Sequence, residues 1–427
     1  MIRDTSSPGL SDVMRAAAGS AAALDAALYG ASALFAATTL ELARWVTYRT
    51  WAAFAWPTYT AAALIGLVLA AHDARLGRRR LTAARFALAG FVLAGALAAP
   101  LVAGVHWRAE RGPQYAASEV VITEGAAADL LRGRNPYATR FASPELAGRA
   151  PSIADHFPYL PGMAVFGVPR ALLPSRSWTD ARVFFTLATA LAAAAALAGW
   201  RAPPQSRLRA LQVLAVLPTG APLLVAGGDD MPVLALSLLA LVLLDRSRYV
   251  ASSAAAGAAA LLKLTAWPLF LFVALAARRS ALIVATVVLG VVAAAASAGP
   301  ASFADDVLLF PLGLTSPPSP AKGTTLGSLI RDSVSPHTAA RAVVTATLLA
   351  VALGVAFAAL RAWGLSGTRP ANAAEAAMAA GVVLAALVAF APIGRPGYLV
   401  YPVDLLLWSA LLRTSREARV RTEALAW

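Results

Sequence analysis

Long apolar runs recur along the whole chain with only short polar gaps between them, a pattern that predicts helices crossing a bilayer. The runs at 82–105, 281–298, 342–360 and 376–391 approach or exceed the roughly 20 apolar residues needed for a crossing. The full helix reading is 21–46, 51–71, 82–105, 181–200, 211–226, 231–244, 251–262, 265–277, 281–298, 342–361, 376–391 and 398–412. The expected fold is an all-α polytopic membrane bundle of about 11–13 hydrophobic helices. The first of them contains Asp25 and Glu41, which fits either a crossing or an interfacial position. Residues 1–20 carry Arg3, Asp4, Asp12 and Arg15 without the short apolar core of a removable signal, so the first helix is expected to direct insertion.

The polar gaps divide by charge. Arg75, Arg78, Arg79 and Arg80 form one basic cluster, and Arg201, Arg207 and Arg209 another. Arg246 with Arg248, Arg278 with Arg279, and Arg413, Arg416, Arg419 and Arg421 complete the set. Basic loops stay on the cytoplasmic side, which puts both termini inside and leaves the other gaps outside. Two of those are long: residues 106–158 and residues 299–338 are expected as external loops of a single integral membrane domain, 1–427. The same alternation puts the turn Gly227-Gly228-Asp229-Asp230 outside. The stretch 251–277 lies between two inside clusters, which predicts a pair of half-length helices around Lys263 and Pro268. Residues 159–173 are short and bounded by proline, and are expected to dip in from outside. Broken helices are tolerated only where they line a protein-buried or watered cavity, so a cavity is expected in the membrane. No internal repeat at a fixed period is visible.

Composition agrees: 14% of residues are charged and 59% hydrophobic, against about a quarter charged in a soluble domain, and the mean hydropathy is +0.67. A net charge of +14 in a soluble protein would point to nucleic acid, but here it resides in topology-setting gaps, so membrane lipids and not nucleic acid are the expected neighbours. The chain has no cysteine, which excludes disulfides, thiolate nucleophiles and cysteine metal sites. No dinucleotide, Walker, zinc-protease or Ser-His-Asp pattern stands out.

The most informative string runs from Ser118-Glu119 through a small-residue helix to Leu130-Leu131-Arg132-Gly133-Arg134-Asn135-Pro136-Tyr137, followed by Phe157-Pro158-Tyr159-Leu160-Pro161-Gly162. An acidic residue, then LLxGxNPY, a polar insert and FxYxPG resembles the first external loop of the C-type (GT-C fold) glycosyltransferases. The nearest resemblance is to glycosyltransferase family 87, the polyprenyl-phosphate-mannose-dependent mannosyltransferases. The acidic Gly-Gly-Asp-Asp turn, AAGAAALLKLTAWPLFLF around Lys263 and RPGYLVYP from Arg395 to Pro402 agree in order, so the resemblance covers most of the chain from about residue 100.

The resemblance implies a general base at the start of the first external loop, where this chain has Glu119 and the family more often has Asp. An acceptor hydroxyl attacking an anomeric carbon needs a carboxylate within hydrogen-bond reach, and inversion needs no covalent intermediate. The alternative for Glu119 is a helix-start residue favoured by the dipole. Glu124 should face elsewhere and be solvated. Asp229 and Asp230 are candidate sugar- or metal-binding catalytic residues or a plain water-facing turn. Asp305 and Asp306 carry the same two readings, with the turn favoured.

A lipid-phosphate donor needs a cation at the interface. Arg395, with Tyr398 beside it, is the first candidate because a guanidinium grips phosphate oxygens bidentately, and Lys263 is the second, with a snorkelling role as its alternative. His156, His337, Asn135, Tyr137 and Tyr159 are candidate leaving-group or sugar contacts. No cofactor is expected; a divalent cation is compatible with the acidic turn without being an expectation.

Two function classes follow. One is an inverting membrane glycosyltransferase moving a sugar, mannose in the resembled family, from a polyprenyl-phosphate donor to an extracytoplasmic glycolipid or glycan acceptor. The other is a transporter or flippase of lipid-linked or small solutes, for which broken helices are equally apt. Acidic groups at the outer mouth favour the first, and acidic groups at the midplane the second. The Ala-, Arg- and Gly-rich usage fits a high-GC bacterium, and the expected location is the bacterial cytoplasmic membrane, multi-pass, with the site facing outward.

Overall fold

Helices form wherever the apolar runs lie, because in lipid every backbone N–H and C=O must be satisfied within its own segment. The computed structural model describes residues 20–141, 146, 151–316, 319, 325–333, 338–362, 370 and 372–424, and among them there is no strand. The helices are α1 (Ala21–Leu42), α2 (Val46–Ala71), α3 (Arg78–Arg111), α4 (Ser118–Leu131), α5 (Ala181–Gly199) and α6 (Pro204–Ala226). They continue as α7 (Asp230–Asp245), α8 (Tyr249–Leu262), α9 (Trp267–Ala277), α10 (Leu282–Ser297), α11 (Thr338–Ala362), α12 (Ala373–Ala389) and α13 (Val400–Ala424). Among the described residues, seven segments are long and apolar enough to cross a membrane. The protein is an all-α, multi-pass membrane protein.

Alternation through these helices brings the basic clusters to one end of the bundle. Asp25, near the start of α1, receives Arg85 at 2.5 Å and Arg209 at 2.5 Å, so the ends of α1, α3 and α6 are tied together there. Arg419 reaches Asp245 at 2.8 Å and Arg246 reaches the Gly199 carbonyl at 3.1 Å, which adds α13, α7 and α5. The acidic carboxylate in α1 is therefore an anchor at the arginine-rich end, and α1 is itself long and apolar enough to cross.

Side chains are sorted as a bilayer requires. Leu34, Leu64, Ile283, Val287, Leu353 and Phe357 face outward, while Ala22, Ala26 and Ala36 of α1 and Ala52, Ala55, Ala62 and Gly66 of α2 are buried, and a Cβ on Gly66 would come within 3.0 Å of Ala26. Small residues let helix backbones approach closely where apolar burial supplies no drive. α12 does the same with Ala373, Ala376, Ala377, Ala380 and Gly381.

The expected half-length pair is present as α8 and α9, joined at Lys263, whose extended backbone (φ −153°, ψ 144°) ends α8. The carbonyl of Leu262, freed by that break, accepts the Leu160 N–H at 3.1 Å. That bond docks the short helical segment Pro161–Gly167 onto the break. Gly257 of α8 faces Phe270 of α9 and also Val284 and Val288 of α10, so the chain reverses at Arg278 (φ 56°).

Two boundaries at the long connections differ from expectation. α3 continues to Arg111, because a five-residue π turn at Ala94–Ala98 absorbs Gly95 without ending the helix, so the first long connection begins at Gly112 and contains α4. The second connection is not a plain loop at its start: Pro300–Ala304, a π turn at Asp305–Leu309 and Phe310–Leu312 are helical.

Candidate active site

Four chain breaks converge at the end of the bundle opposite the arginines. The first turn of α4 carries Glu119, and the turn between α6 and α7 carries Asp229 and Asp230. The α8–α9 break carries Lys263, the turn into α13 carries Arg395 and Tyr398, and the first turn of α13 carries Tyr401. The tight α6–α7 turn needs glycine: Gly228 has φ 53°, and a Cβ on Gly227 would lie 2.9 Å from the Cβ of Ala117. The Ala117 N–H also donates to the Ala226 carbonyl at 3.1 Å, so the α4 start and the acidic turn are fixed against each other.

Lys263 Nζ lies 2.8 Å from Asp229 Oδ2 and 2.5 Å from Asp230 Oδ1. The Tyr401 hydroxyl donates to the same Asp230 oxygen at 2.6 Å. The ammonium also sits 5.3 Å from the Tyr159 ring centre and 5.9 Å from that of Tyr398, so two aromatic faces share its charge. Burial pushes the Asp229 carboxyl up to about 6, against the pull of Lys263. Arg395 Nη1 donates to Glu119 Oε1 at 2.9 Å. Burial works against the Arg395 charge, but Glu119 beside it outweighs that and holds the guanidinium protonated. The Glu119 side chain keeps 25% of its surface exposed and Arg395 49%, whereas Asp229 is 6% exposed. The exposed pair can exchange partners; the lysine-bridged aspartates are fixed.

Glu124 is not solvated. It faces away from Glu119 as expected, but what lies there is protein: Arg108 of α3 grips its two oxygens at 2.9 and 2.7 Å, and the Ala181 N–H donates to it at 3.0 Å. Arg108 also reaches Asp180 at 2.8 Å. Asp180 is held bidentately by Arg182, whose Nη1 donates to the Tyr115 and Val225 carbonyls. Burial raises the Asp180 carboxyl, but Arg182 and Arg108 outweigh it and keep it below the usual carboxylate range. This buried network clamps α4 to α3, α5 and α6 and so fixes the helix that presents Glu119.

The remaining candidates form a neighbouring cluster. The Tyr137 hydroxyl donates to the Tyr159 carbonyl at 3.1 Å, and its ring packs on Phe157 and Phe303. The Asn135 side chain caps Tyr137 N–H at 3.0 Å, and its Nδ2 is buried without a partner among the described residues. His156 stacks on Phe310 with ring centres 4.3 Å apart and lies 4.0 Å from Asp306. Asp306 is no water-facing turn residue: it is 2% exposed and accepts the Phe157 N–H at 2.8 Å, pinning the second connection to the first. Burial pushes its carboxyl up to about 7, with the Phe157 N–H pulling the other way. Asp305 stands beside it in the same π turn. His337 lies outside the described residues.

Two site residues escaped the sequence reading. Tyr401 sits three positions after Tyr398 in the string RPGYLVYP, one helical turn on, and that spacing was its signal. Tyr48 of α2 is within electrostatic reach of Glu119, Arg395 and both aspartates, and nothing in its local sequence marks it. Among the described residues, no group of three or more His, Asp or Glu side chains is placed to hold a metal ion; the cation between Asp229 and Asp230 is Lys263.

The sequence model of glycosyltransferase family 87 matches residues 157–394, more than half of the chain. The match takes in Asp229, Asp230 and Lys263, begins after Glu119 and stops one residue before Arg395. No curated protein and no solved structure matches the chain.

Proposed function

The chain belongs to glycosyltransferase family 87, and from that premise we propose that it transfers a sugar, mannose in the first instance, from a polyprenyl-phosphate donor to a glycolipid or glycan acceptor on the extracytoplasmic side of a bacterial cytoplasmic membrane. The observation that carries this reading is the Arg395–Glu119 pair standing beside the Lys263-bridged aspartates at the acidic end of the bundle.

In this mechanism the donor phosphate takes the Arg395 guanidinium, whose fork suits phosphate oxygens, and so releases Glu119. Glu119 then accepts the proton of the acceptor hydroxyl as its oxygen attacks the anomeric carbon. The bond from that carbon to the phosphate oxygen breaks on the opposite face, and polyprenyl phosphate leaves with the electron pair. The configuration is inverted and no covalent enzyme intermediate forms. Asp229 and Asp230, bridged by Lys263, receive sugar hydroxyls, and Tyr159 and Tyr398 offer ring faces to the sugar. Asn135, Tyr137 and His156 lie in the adjoining cluster and shape the acceptor side.

The location of the acidic groups supports transfer over transport. Glu119, Asp229 and Asp230 gather at helix ends, where a carrier would place its charges midway. One carboxyl group departs from this: Asp404, about one turn beyond Tyr401 in α13, is fully buried, and neither oxygen has a partner among the described residues. The decisive experiment is turnover by purified protein of synthetic polyprenyl-phosphate-mannose with a lipid-linked acceptor. Absence of transfer from any polyprenyl-phosphate sugar would overturn the donor assignment.

A further inference from the structure

α7 begins at the acidic site and ends, roughly 22 Å away at 1.5 Å per residue, in the string Asp245-Arg246-Ser247-Arg248. Ser247 adopts a left-handed conformation (φ 55°), and the Ser247 and Arg248 N–H groups close back on the Leu244 and Leu243 carbonyls at 2.9 Å each. This fixed turn sets Arg246 and Arg248 in the lining of a cleft of about 270 Å³, completed by Arg201, Asp245 and Arg419.

Four guanidinium groups therefore face one carboxylate. Arg419 is engaged by Asp245 and Arg246 by the Gly199 carbonyl. Arg201 and Arg248 are exposed, and their side chains pair with nothing among the described residues. The second oxygen of Asp245, Oδ2, is buried and also has no partner among them. Membrane topology asks for arginines at this end of the bundle, but it does not ask for four to converge on one fixed cleft. Their convergence calls for an anion with several acceptor oxygens, and the open Asp245 oxygen calls for a hydroxyl on the same ligand.

Tyr249 and Val250 follow Arg248, Val420 follows Arg419, and all three are exposed. They give an acyl chain somewhere to lie while its headgroup enters the cleft.

We propose that this cleft binds a phosphate group, presented as the headgroup of an anionic glycerophospholipid with a free hydroxyl. Basic pockets between membrane helices recognise such headgroups by charge and fork geometry together. The site is separate from the acidic end and does not depend on the reaction performed there.

The test uses the full chain purified in neutral detergent and supplemented with phosphatidylglycerol, phosphatidylcholine or inorganic phosphate, with retained lipid read by native mass spectrometry and apparent Tm by thermal scan. Phosphatidylglycerol should be retained and raise the Tm, and phosphatidylcholine should do neither. R201Q/R248Q alters two exposed side chains, so its Tm without added lipid should match the wild type. Its affinity for phosphatidylglycerol should fall about thirtyfold, with R201K/R248K keeping part of it. Protection by inorganic phosphate alone, lost in R201Q/R248Q, would sustain the phosphate site and assign it a soluble source. Equal retention of the two lipids with no phosphate effect, or phosphatidylglycerol binding undiminished in R201Q/R248Q, would overturn it.

Discussion

The guanidinium of Arg395 donates to the Glu119 carboxylate at 2.9 Å across 276 positions of sequence. The two residues proposed to hold the donor phosphate and to take the acceptor proton thus occupy each other. On that proposal, an anion arriving at Arg395 unmasks the base, which couples donor binding to readiness for proton transfer.

Glu119→Gln keeps the shape and part of the hydrogen bond to Arg395 but cannot take a proton. Transfer should fall roughly 10²–10⁴-fold with apparent Tm near that of the wild type. Glu119→Asp should retain measurable turnover. Near-normal turnover in the Gln variant would leave Glu119 as a first-turn residue and move the base to Asp229 or Asp230, where amide substitutions would decide.

Arg395→Lys preserves charge and loses the fork. Donor binding should weaken by about 1–3 kcal/mol, read as a raised donor KM in steady-state assays with acceptor saturating. An unchanged KM would make Arg395 only the partner of Glu119.

Lys263→Met leaves two carboxylates buried without their cation, and such a break costs about 3–5 kcal/mol. Apparent Tm in detergent should drop sharply. The triple substitution K263M/D229N/D230N should recover much of that loss without recovering activity. A single variant as stable as the wild type would show that the trio is not a buried ion cluster.

The carboxyl of Asp306 is raised from 3.8 to about 7. The folded state therefore holds a proton that the unfolded chain releases, and this contribution to stability falls as pH rises from about 4 to 7. Asp306→Asn removes the titration. The apparent Tm of that variant should gain on the wild type steadily across the window, and a pH-independent difference would remove Asp306 from the balance.

Topology is open to a simple probe because the chain lacks cysteine. A cysteine at Arg140, an exposed position after α4, should react with an impermeant maleimide added outside intact cells. Labelling only after the cytoplasmic face is opened would invert the orientation.

Much of this arrangement was legible because bilayers impose coarse rules. Apolar runs located the helices, and the arginine clusters sorted their ends. The position of residues 251–277 between two inside arginine clusters marked a pair of half-length helices around Lys263. What could not be read was which partners that lysine takes: Asp229 and Asp230 lie more than thirty positions away, and only the packing of α7 against α8 brings them to Lys263. Glu124 shows the opposite failure. Helical spacing correctly turned it away from Glu119, but spacing says nothing about whether water or Arg108 waits on that side. Asp306 was misjudged for the same reason, its partner being a backbone N–H on another connection.

α7 has only sixteen residues between the acidic turn and the basic cleft, a rise of roughly 22 Å where the hydrocarbon layer is about 30 Å thick, so both ends cannot reach the bilayer surface. On the function proposed above, with the basic cleft at the headgroups, that shortfall falls at the acidic end and the carboxylates sit at the foot of a well. On the same proposal, a polyprenyl-phosphate donor meets them by sideways diffusion, whereas the acceptor must lower its hydroxyl into the well. Depth itself becomes a selection rule: slender or lipid-borne ends reach the floor, and a bulky branched glycan is stopped at the rim.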